Sequence, residues 1–163
     1  AVIIFDIGKS KVSSFLKCWL IHLQICINEK SSENTIYISR HESASKKHTY
    51  KVSQRWKIIE REEAKVIYLK VKHLAAIGFE ECWPVPPSSG FRYAIAEKND
   101  LDKAREIFKE SWEGNYRKNG ECEKEEMKLC FGRNTKSDLF LNEPIFHQCI
   151  HLLYNPIIKY SLL

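Results

Sequence analysis

The sequence predicts an α+β fold, an antiparallel-rich sheet with helices packed mainly on one face. Short runs of β-branched and aromatic residues alternate with longer stretches in which apolar residues recur every three or four positions. In chain order these segments predict β-α-β-β-α-β-β-α-α, and directly consecutive strands are typical of antiparallel pairing. The composition, with 44% hydrophobic and 12% aromatic residues, indicates a folded chain and excludes a disordered one.

The first helix and three strands are predicted in the N-terminal part. Residues 2–5 are a continuous apolar run, which predicts a buried strand. Ser10 is a suitable N-cap for a helix of about 16 residues, because an apolar stripe follows it. That stripe consists of Val12, Phe15, Leu16, Trp19, Leu23 and Cys26. Residues 36–38 and 49–52 then predict a hairpin whose connection, 40–48, is basic.

The middle of the chain begins with a long periodic stretch. The apolar residues of 56–77 occupy one side of a helical wheel, and Gly78 follows as a helix stop. A strand at 66–71 is the alternative, but the periodic stretch is too long for a strand. Residues 79–83 and 91–96 each predict a further strand.

A proline-rich segment, residues 84–90, separates these two strands. Its prolines exclude a central strand, and we also expect no helix there. Asn99 or Asp100 then caps a helix over 101–113, and Gly114 ends it. The apolar stripe of this helix consists of Leu101, Ala104, Ile107, Phe108 and Trp112.

The C-terminal part begins with a polar connection, residues 115–138, in which we expect a short helix at 121–129. Asn142 is expected to cap a final helix with Pro144 at its first position. Because proline interrupts helical hydrogen bonding, the Asn-Pro step at 155–156 should end that helix.

The length of 163 residues suits one domain that buries a substantial core. We therefore predict a single α+β domain over residues 1–163. Its parts are a basic N-terminal part (1–57), a core unit (58–113), a polar connection (115–138), and a C-terminal helix with an apolar tail (139–163). Since an exposed apolar tail is an aggregation liability, we expect residues 157–163 to pack on a sheet edge or against a partner.

The apolar run at 15–27 predicts neither a signal peptide nor a membrane span. It contains Lys17, His22 and Gln24, and it is too short to cross a bilayer. The chain has six cysteines but no Asn-x-Ser/Thr glycosylation acceptor. We therefore predict an intracellular protein with free thiols and no membrane partner.

The positive charge is concentrated in residues 1–57, which hold 10 Lys and Arg against 4 Asp and Glu, a balance of +6. Residues 58–134 hold 14 against 15, and residues 135–163 hold 2 against 2. Lys and Arg neutralise phosphates, and aromatic rings on a sheet stack on unpaired bases. The predicted nucleic-acid-binding residues are Arg40, Lys46, Lys47, Lys51, Arg55, Lys57, Tyr37 and Tyr50. A solvated basic hairpin that only maintains solubility is the alternative.

A second candidate is a phosphate-binding turn made by Asp6, Gly8, Lys9 and Ser10, between the first strand and the first helix. Amides at a helix N-terminus bind anions, and Lys9 adds positive charge. These residues resemble the first phosphate-binding turn of the actin-like sugar kinases, although the later nucleotide motifs of that family are missing. The spacing does not match a Walker A loop. A strand-to-helix turn with a serine cap is the alternative.

A third candidate is a metal site made by Cys122, Cys130, His147 and His151. The two histidines are spaced i, i+4 on one helix face, as zinc ligands often are. The cysteines are separated by seven residues, whereas structural zinc sites use roughly two to four. We therefore predict no metal and no cofactor, and a looser Cys₂His₂ site stays open. No set of nucleophile, base and acid can be named, so no catalytic residue is predicted.

Together these features predict a non-catalytic nucleic-acid-associated module, with RNA or a ribonucleoprotein assembly as partner. A protein-interaction or scaffold subunit, docking through the proline-rich segment and the apolar tail, is the first alternative. An enzyme that handles a phosphate at the turn around Asp6 and Ser10 is the second.

Overall fold

The computed structural model describes residues 1–9, 11–28, 34–42, 48–78, 80 and 83–162. It confirms the α+β class. The chain divides into two compact units, Ala1–Lys70 with Pro156–Leu163, and Val71–Asn155. Each unit has its own buried core, and the candidate site lies in the first.

The first unit is built on a mixed sheet of three strands. Its elements are β1 (Val2–Lys9), α1 (Val12–Asn28), β2 (Thr35–Glu42), β3 (His48–Trp56) and the first part of α2 (Arg61–Gly78). β1 pairs with β2 in parallel, β2 pairs with β3 antiparallel, and the order is β1-β2-β3. The parallel pair requires a crossover, which α1 supplies. The antiparallel pairing of β2 with β3 confirms the predicted hairpin. Its residues 43–47 lie outside the described residues.

One face of this sheet, the inner face, packs against α1. The predicted stripe is confirmed, since Trp19 and Leu23 of α1 are fully buried. The Trp19 ring centroid lies 5.7 Å from that of Trp56 on β3, and the Phe15 centroid lies 5.4 Å from it. Trp56 was predicted to begin the following helix, but that helix starts at Arg61. This aromatic cluster is the core of the unit, because large rings remove the most apolar area from water.

His22 is a polar member of this core and is also fully buried. Its ring stacks on Trp56 at 5.7 Å, and its Nδ1 lies 2.9 Å from the Thr35 hydroxyl. Burial lowers the pKa of His22 to about 4, although the Lys57 carbonyl, which accepts a hydrogen bond from the ring, acts in the opposite direction. The imidazole is therefore neutral at physiological pH.

The apolar tail packs on the free edge of β3, which confirms the expectation that it packs. Ser161 forms an antiparallel bridge with Trp56, and the Leu162 amide donates to the Arg55 carbonyl at 2.8 Å. The Lys57 amide donates to the Tyr160 carbonyl at 3.0 Å, and the Tyr160 ring is buried.

The predicted helix stop at 155–156 is wrong, since α7 (Pro144–Lys159) continues through Pro156. A proline inside a helix removes one backbone hydrogen bond but leaves its own carbonyl free to accept. That carbonyl accepts from the Tyr160 amide at 3.1 Å. Ile157, the next residue, is fully buried, so burial of the helix face offsets the lost bond.

The second unit consists mainly of helices. Its elements are the rest of α2, α3 (Pro87–Glu97), α4 (Leu101–Glu113), β4 (Gly114–Asn115), β5 (Lys118–Asn119), a 3₁₀ turn (Glu121–Glu123), α5 (Glu125–Phe131), α6 (Asp138–Leu141) and the first part of α7. α4 is confirmed with its cap, because the Asp100 carboxylate accepts from the Lys103 amide at 3.1 Å. Gly114 ends it at a φ of 79°, a conformation that favours glycine. Pro144 begins α7 as predicted, whereas Asn142 ends α6.

Two predictions about residues 84–96 are wrong, because α3 occupies most of this stretch. Pro87 is its first residue, where a missing N–H costs nothing. The amides of Ser88 and Ser89 donate to the Glu121 carboxylate at 3.0 and 2.6 Å. Burial by itself would raise the pKa of Glu121, but these amides outweigh it and the pKa is lowered. Of the strand predicted at 79–83, residues 79, 81 and 82 lie outside the described residues.

The core of the second unit is an aromatic cluster. The ring centroids of Phe108 and Phe146 are 5.0 Å apart, and those of Trp112 and Phe140 are 4.8 Å apart, both in edge-on geometry. Tyr93 of α3 joins them at 5.3 Å from Phe146. All five side chains are almost completely buried, so α3, α4, α6 and α7 are held together by one set of contacts.

We expect Phe108→Ala to lower the free energy of unfolding by about 3–5 kcal/mol, because it empties the centre of this cluster. Glu110→Ala is the matched control on the exposed face of α4 and should change stability by at most about 0.5 kcal/mol. Denaturant unfolding of both variants measures the difference. Equal effects would contradict the assignment of the buried face.

We expect stability to fall as the pH is lowered from 6.5, the ordinary pKa of histidine, to the pKa of about 4 that His22 has in the fold. In this window the unfolded chain binds a proton that the folded chain does not bind, and above it the full stability is present. The loss from this residue is at most roughly 3 kcal/mol. An NMR titration isolates His22 from other groups, and a ring that titrates near its ordinary pKa would contradict its burial.

Candidate nucleic-acid interface

The sheet of the first unit has a second face, on the side opposite α1. Side chains alternate between the two faces along each strand, except at Ser53, where β3 has one extra residue opposite β2, and the strand register shows which side chains share a face. Ile3 pairs with Ile36, Phe5 pairs with Ile38, and Ile38 pairs with Val52. We call this side the outer face, and it consists of Ile3, Phe5, Ile7, Ile36, Ile38, Arg40, Tyr50, Val52 and Arg55.

The outer face is apolar and open to solvent. Ile3 is 60% exposed, Phe5 55% and Ile7 74%, all on β1. On β3, Tyr50 is 47% exposed and Val52 42%. Single exposed apolar residues are common, but exposed ones on β1 and β3, with the half-buried Ile36 and Ile38 of β2 between them, form a continuous patch, and such patches mark interaction surfaces.

An aromatic pair lies within this patch. The ring centroids of Phe5 and Tyr50 are 4.8 Å apart, with an angle of 36° between the ring planes. Each ring rests on its neighbour on one side and remains about half exposed. A preformed pair of this kind offers flat, rigid surfaces on which a further planar group can stack.

Two arginines lie on the outer face, and one of them, Arg40, lies beside the aromatic pair. Arg40 pairs across the strands with Tyr50, and Arg55 pairs with Ile36. Neither forms a salt bridge with any described residue. Nε of Arg40 is buried and has no hydrogen-bond partner. The outer face as defined therefore carries two positive charges.

Three of the predicted nucleic-acid-binding residues, Arg40, Tyr50 and Arg55, are therefore brought together on one surface. Lys46 and Lys47 lie outside the described residues.

The other three predicted residues lie elsewhere. Tyr37 is fully buried on the inner face, where its hydroxyl donates to Asp6 at 3.2 Å, and burial raises its pKa to about 12. Lys51 is exposed but pairs with Ser39, whose side chain is buried on the inner face. The Lys57 ammonium lies 5.2 Å from the centre of the Tyr160 ring.

Phe5 and its neighbours on β1 were missed as site residues. Residues 2–5 predicted a strand buried on both faces, and this is wrong because the burial alternates along β1. A run in which every residue is apolar does not show which side chains face solvent. The alternation of apolar and polar residues at Phe5, Asp6, Ile7 and Gly8 was the available signal of a half-exposed strand.

The predicted phosphate-binding turn is already occupied by a side chain. The Gly8 amide donates to one oxygen of Asp6 at 2.7 Å, and the other oxygen accepts from Tyr37. The Gly8 hydrogen bond is the main reason why the pKa of Asp6 is lowered, so this carboxylate stays charged. Lys9 pairs with Arg40 at the end of β1, and Ser10 lies outside the described residues.

The candidate metal ligands have other hydrogen-bond partners. Nδ1 of His147 lies 3.2 Å from the Tyr93 hydroxyl, and its Nε2 lies 3.1 Å from the Leu141 carbonyl. Nε2 of His151 lies 2.7 Å from the Glu97 carboxylate. Within the described ranges, no group of three or more His, Cys, Asp or Glu residues is placed to hold a metal ion. The absence of a metal stays a prediction.

The described helices include none that is both long and apolar enough to cross a membrane. No family model matches the chain, and a search of curated proteins finds no similar sequence. The function of this protein is therefore inferred from the chemistry of the outer face.

Proposed function

We propose that this protein binds single-stranded nucleic acid on its outer face. The observation that carries the proposal is the exposed pair of Phe5 and Tyr50, 4.8 Å apart, with Arg40 beside it and Arg55 further along β3 on the same face. Unpaired bases stack on exposed aromatic rings, and arginines next to such rings contact the phosphates that connect the bases.

The charge distribution supports this binding mode. Residues 1–57, which contain all three strands of the sheet, carry a net charge of +6. A concentration of positive charge attracts a polyanion over long distances and accelerates the encounter. Arginine side chains donate charge-assisted hydrogen bonds to phosphate oxygens, and hydrogen bonds of this kind are strong.

The shape of the surface favours single strands over a duplex. A sheet face presents its rings to the flat sides of bases, and these are accessible only when bases are unpaired. The face offers few donors or acceptors besides its two arginines, so we expect little preference for base sequence. RNA is the partner expected from the sequence, and DNA has the same stacking and phosphate chemistry.

The apolar side chains around the aromatic pair favour protein binding as a second candidate function. Ile3 and Ile7 are more exposed than either aromatic ring, and isoleucine side chains gain most from contact with another apolar surface. The tail and the proline-rich segment give less support to protein binding. Ile157 and Tyr160 of the tail are buried, and α3 occupies residues 87–90.

An intracellular location is part of the proposal. The five described cysteines, Cys18, Cys26, Cys122, Cys130 and Cys149, are all free thiols. Free thiols persist in reducing compartments, where single-stranded nucleic acids also occur.

We expect Tyr50→Ala to weaken binding of a fluorescently labelled single-stranded RNA by about 1–3 kcal/mol, because one stacking ring is lost. Arg55→Ala should reduce the slope of log K against log salt by about 0.7, as one phosphate contact disappears. Fluorescence anisotropy at several salt concentrations measures both effects, and single-stranded DNA of the same sequence tests the choice of sugar.

Two matched controls accompany these variants. Tyr116→Ala removes a tyrosine that is 87% exposed in the second unit. Lys51→Ala removes an exposed cation of β3 that does not belong to the outer face. Controls that weaken binding as much as Tyr50→Ala and Arg55→Ala would show that binding does not occur on the outer face. Equal affinity for duplex and single strand would exclude stacking.

A further inference from the structure

β1 lies at one edge of the described sheet, with β2 on one side and no described strand on the other. The Val2 amide donates to the Asn34 carbonyl at 3.1 Å. In a parallel pair, alternate residues direct both of their backbone groups toward the neighbouring strand. The groups of the even-numbered residues therefore face β2, and those of Ile3 and Phe5 face away from the sheet.

This edge lacks most of the features that prevent strand pairing. β1 contains no proline, and its single acidic residue, Asp6, is held on the inner face by Gly8 and Tyr37. The register with β2 is regular from residue 2 to residue 6 and shifts only after Asp6. Exposed edges are normally protected by charges, prolines or bulges, so residues 2–6 are an open template for another strand.

The opposite edge of the sheet is covered at the C-terminal end of β3. Ser161 forms a bridge with Trp56 of β3, and the tail donates and accepts backbone hydrogen bonds on either side of it. A pairing of two β1 edges about a two-fold axis uses the same edge of both copies, so it closes after a single pairing.

Residues 2–6 of β1 are complementary to the same residues of a second copy. Two copies of β1 can pair antiparallel with their Ile4 residues opposite each other. Ile3 of each copy then lies opposite Phe5 of the other copy, so this contact occurs twice. The backbone groups of Ile3 and Phe5, which face away from β2, then bond to each other in both directions. On the outer face, an isoleucine faces a phenylalanine, a favourable cross-strand pair.

We propose that a second copy of this chain binds at the β1 edge, and that the two three-stranded sheets join into one continuous sheet about a two-fold axis beside Ile4. The partner is a second copy because one apolar stretch supplies both halves of the interface, as a two-fold contact requires. This pairing does not depend on nucleic-acid binding. It places two aromatic pairs on one widened outer face.

The test compares two substitutions at one position. Ile3→Pro removes an N–H that faces away from β2, so it removes the pairing with the second copy but no hydrogen bond within the sheet. Ile3→Ala also shortens the side chain but keeps this N–H. Sedimentation velocity over a range of concentrations gives the dimer Kd of the full chain and of both variants.

We expect a dimer for the unmodified chain and for Ile3→Ala. Ile3→Pro should raise the dimer Kd roughly 5- to 150-fold relative to Ile3→Ala, because one hydrogen bond is lost in each copy. A chain that is monomeric at every soluble concentration overturns the proposal. Equal Kd values for the two variants also overturn it, since the contact would then not be made by the backbone.

Amide hydrogen exchange tests the pairing without any substitution. The amides of Ile3 and Phe5 should exchange rapidly in the monomer and become protected as the concentration rises, whereas the Val2 amide should be protected throughout. Rapid exchange of Ile3 and Phe5 at the highest concentration would show that this edge stays open, even if Ile3→Pro failed to fold.

Discussion

The packing of Trp19 against Trp56 is the contact on which the first unit depends. It places α1 on one face of the sheet, and it brings His22, Phe15 and Thr35 into the same buried layer. One helix covers one face of a three-stranded sheet. Because strand side chains alternate, the residues that do not face α1 are directed to the other side. The outer face is therefore a direct consequence of the inner core.

The backbone hydrogen bonds at the sheet edges add a second constraint. Tyr160 and Leu162 bond to Lys57 and Arg55, on either side of Trp56, and so they cover the C-terminal end of the β3 edge. The edge of β1 stays open, and its residues Ile3 and Phe5 also belong to the outer face. The proposed stacking surface and the proposed pairing edge therefore both include β1. This strand connects the proposed nucleic-acid contact to the proposed association of two copies.

Much of the fold could be predicted from local patterns. The helices α1, α2 and α4 were predicted because each has an apolar stripe that its own sequence displays. The hairpin of β2 and β3 followed from two short runs of strand-forming residues. For the candidate site, charge and aromatic content indicated Arg40, Arg55 and Tyr50, but the same reasoning included Tyr37, which the fold buries.

The sequence by itself determined where periodic helices form, where the positive charge is concentrated and that the class is α+β. Tertiary structure decided the features that depend on distant partners. α3 begins at Pro87 because Glu121, 33 residues beyond Ser88, accepts the amides of its first turn. α7 continues through Pro156 because Ile157 is buried. Phe5 is exposed because α1 packs on the opposite face of its sheet. Local periodicity predicts whether a segment forms a helix or a strand, but burial and long-range hydrogen bonds decide where that element ends and which of its faces is exposed to solvent.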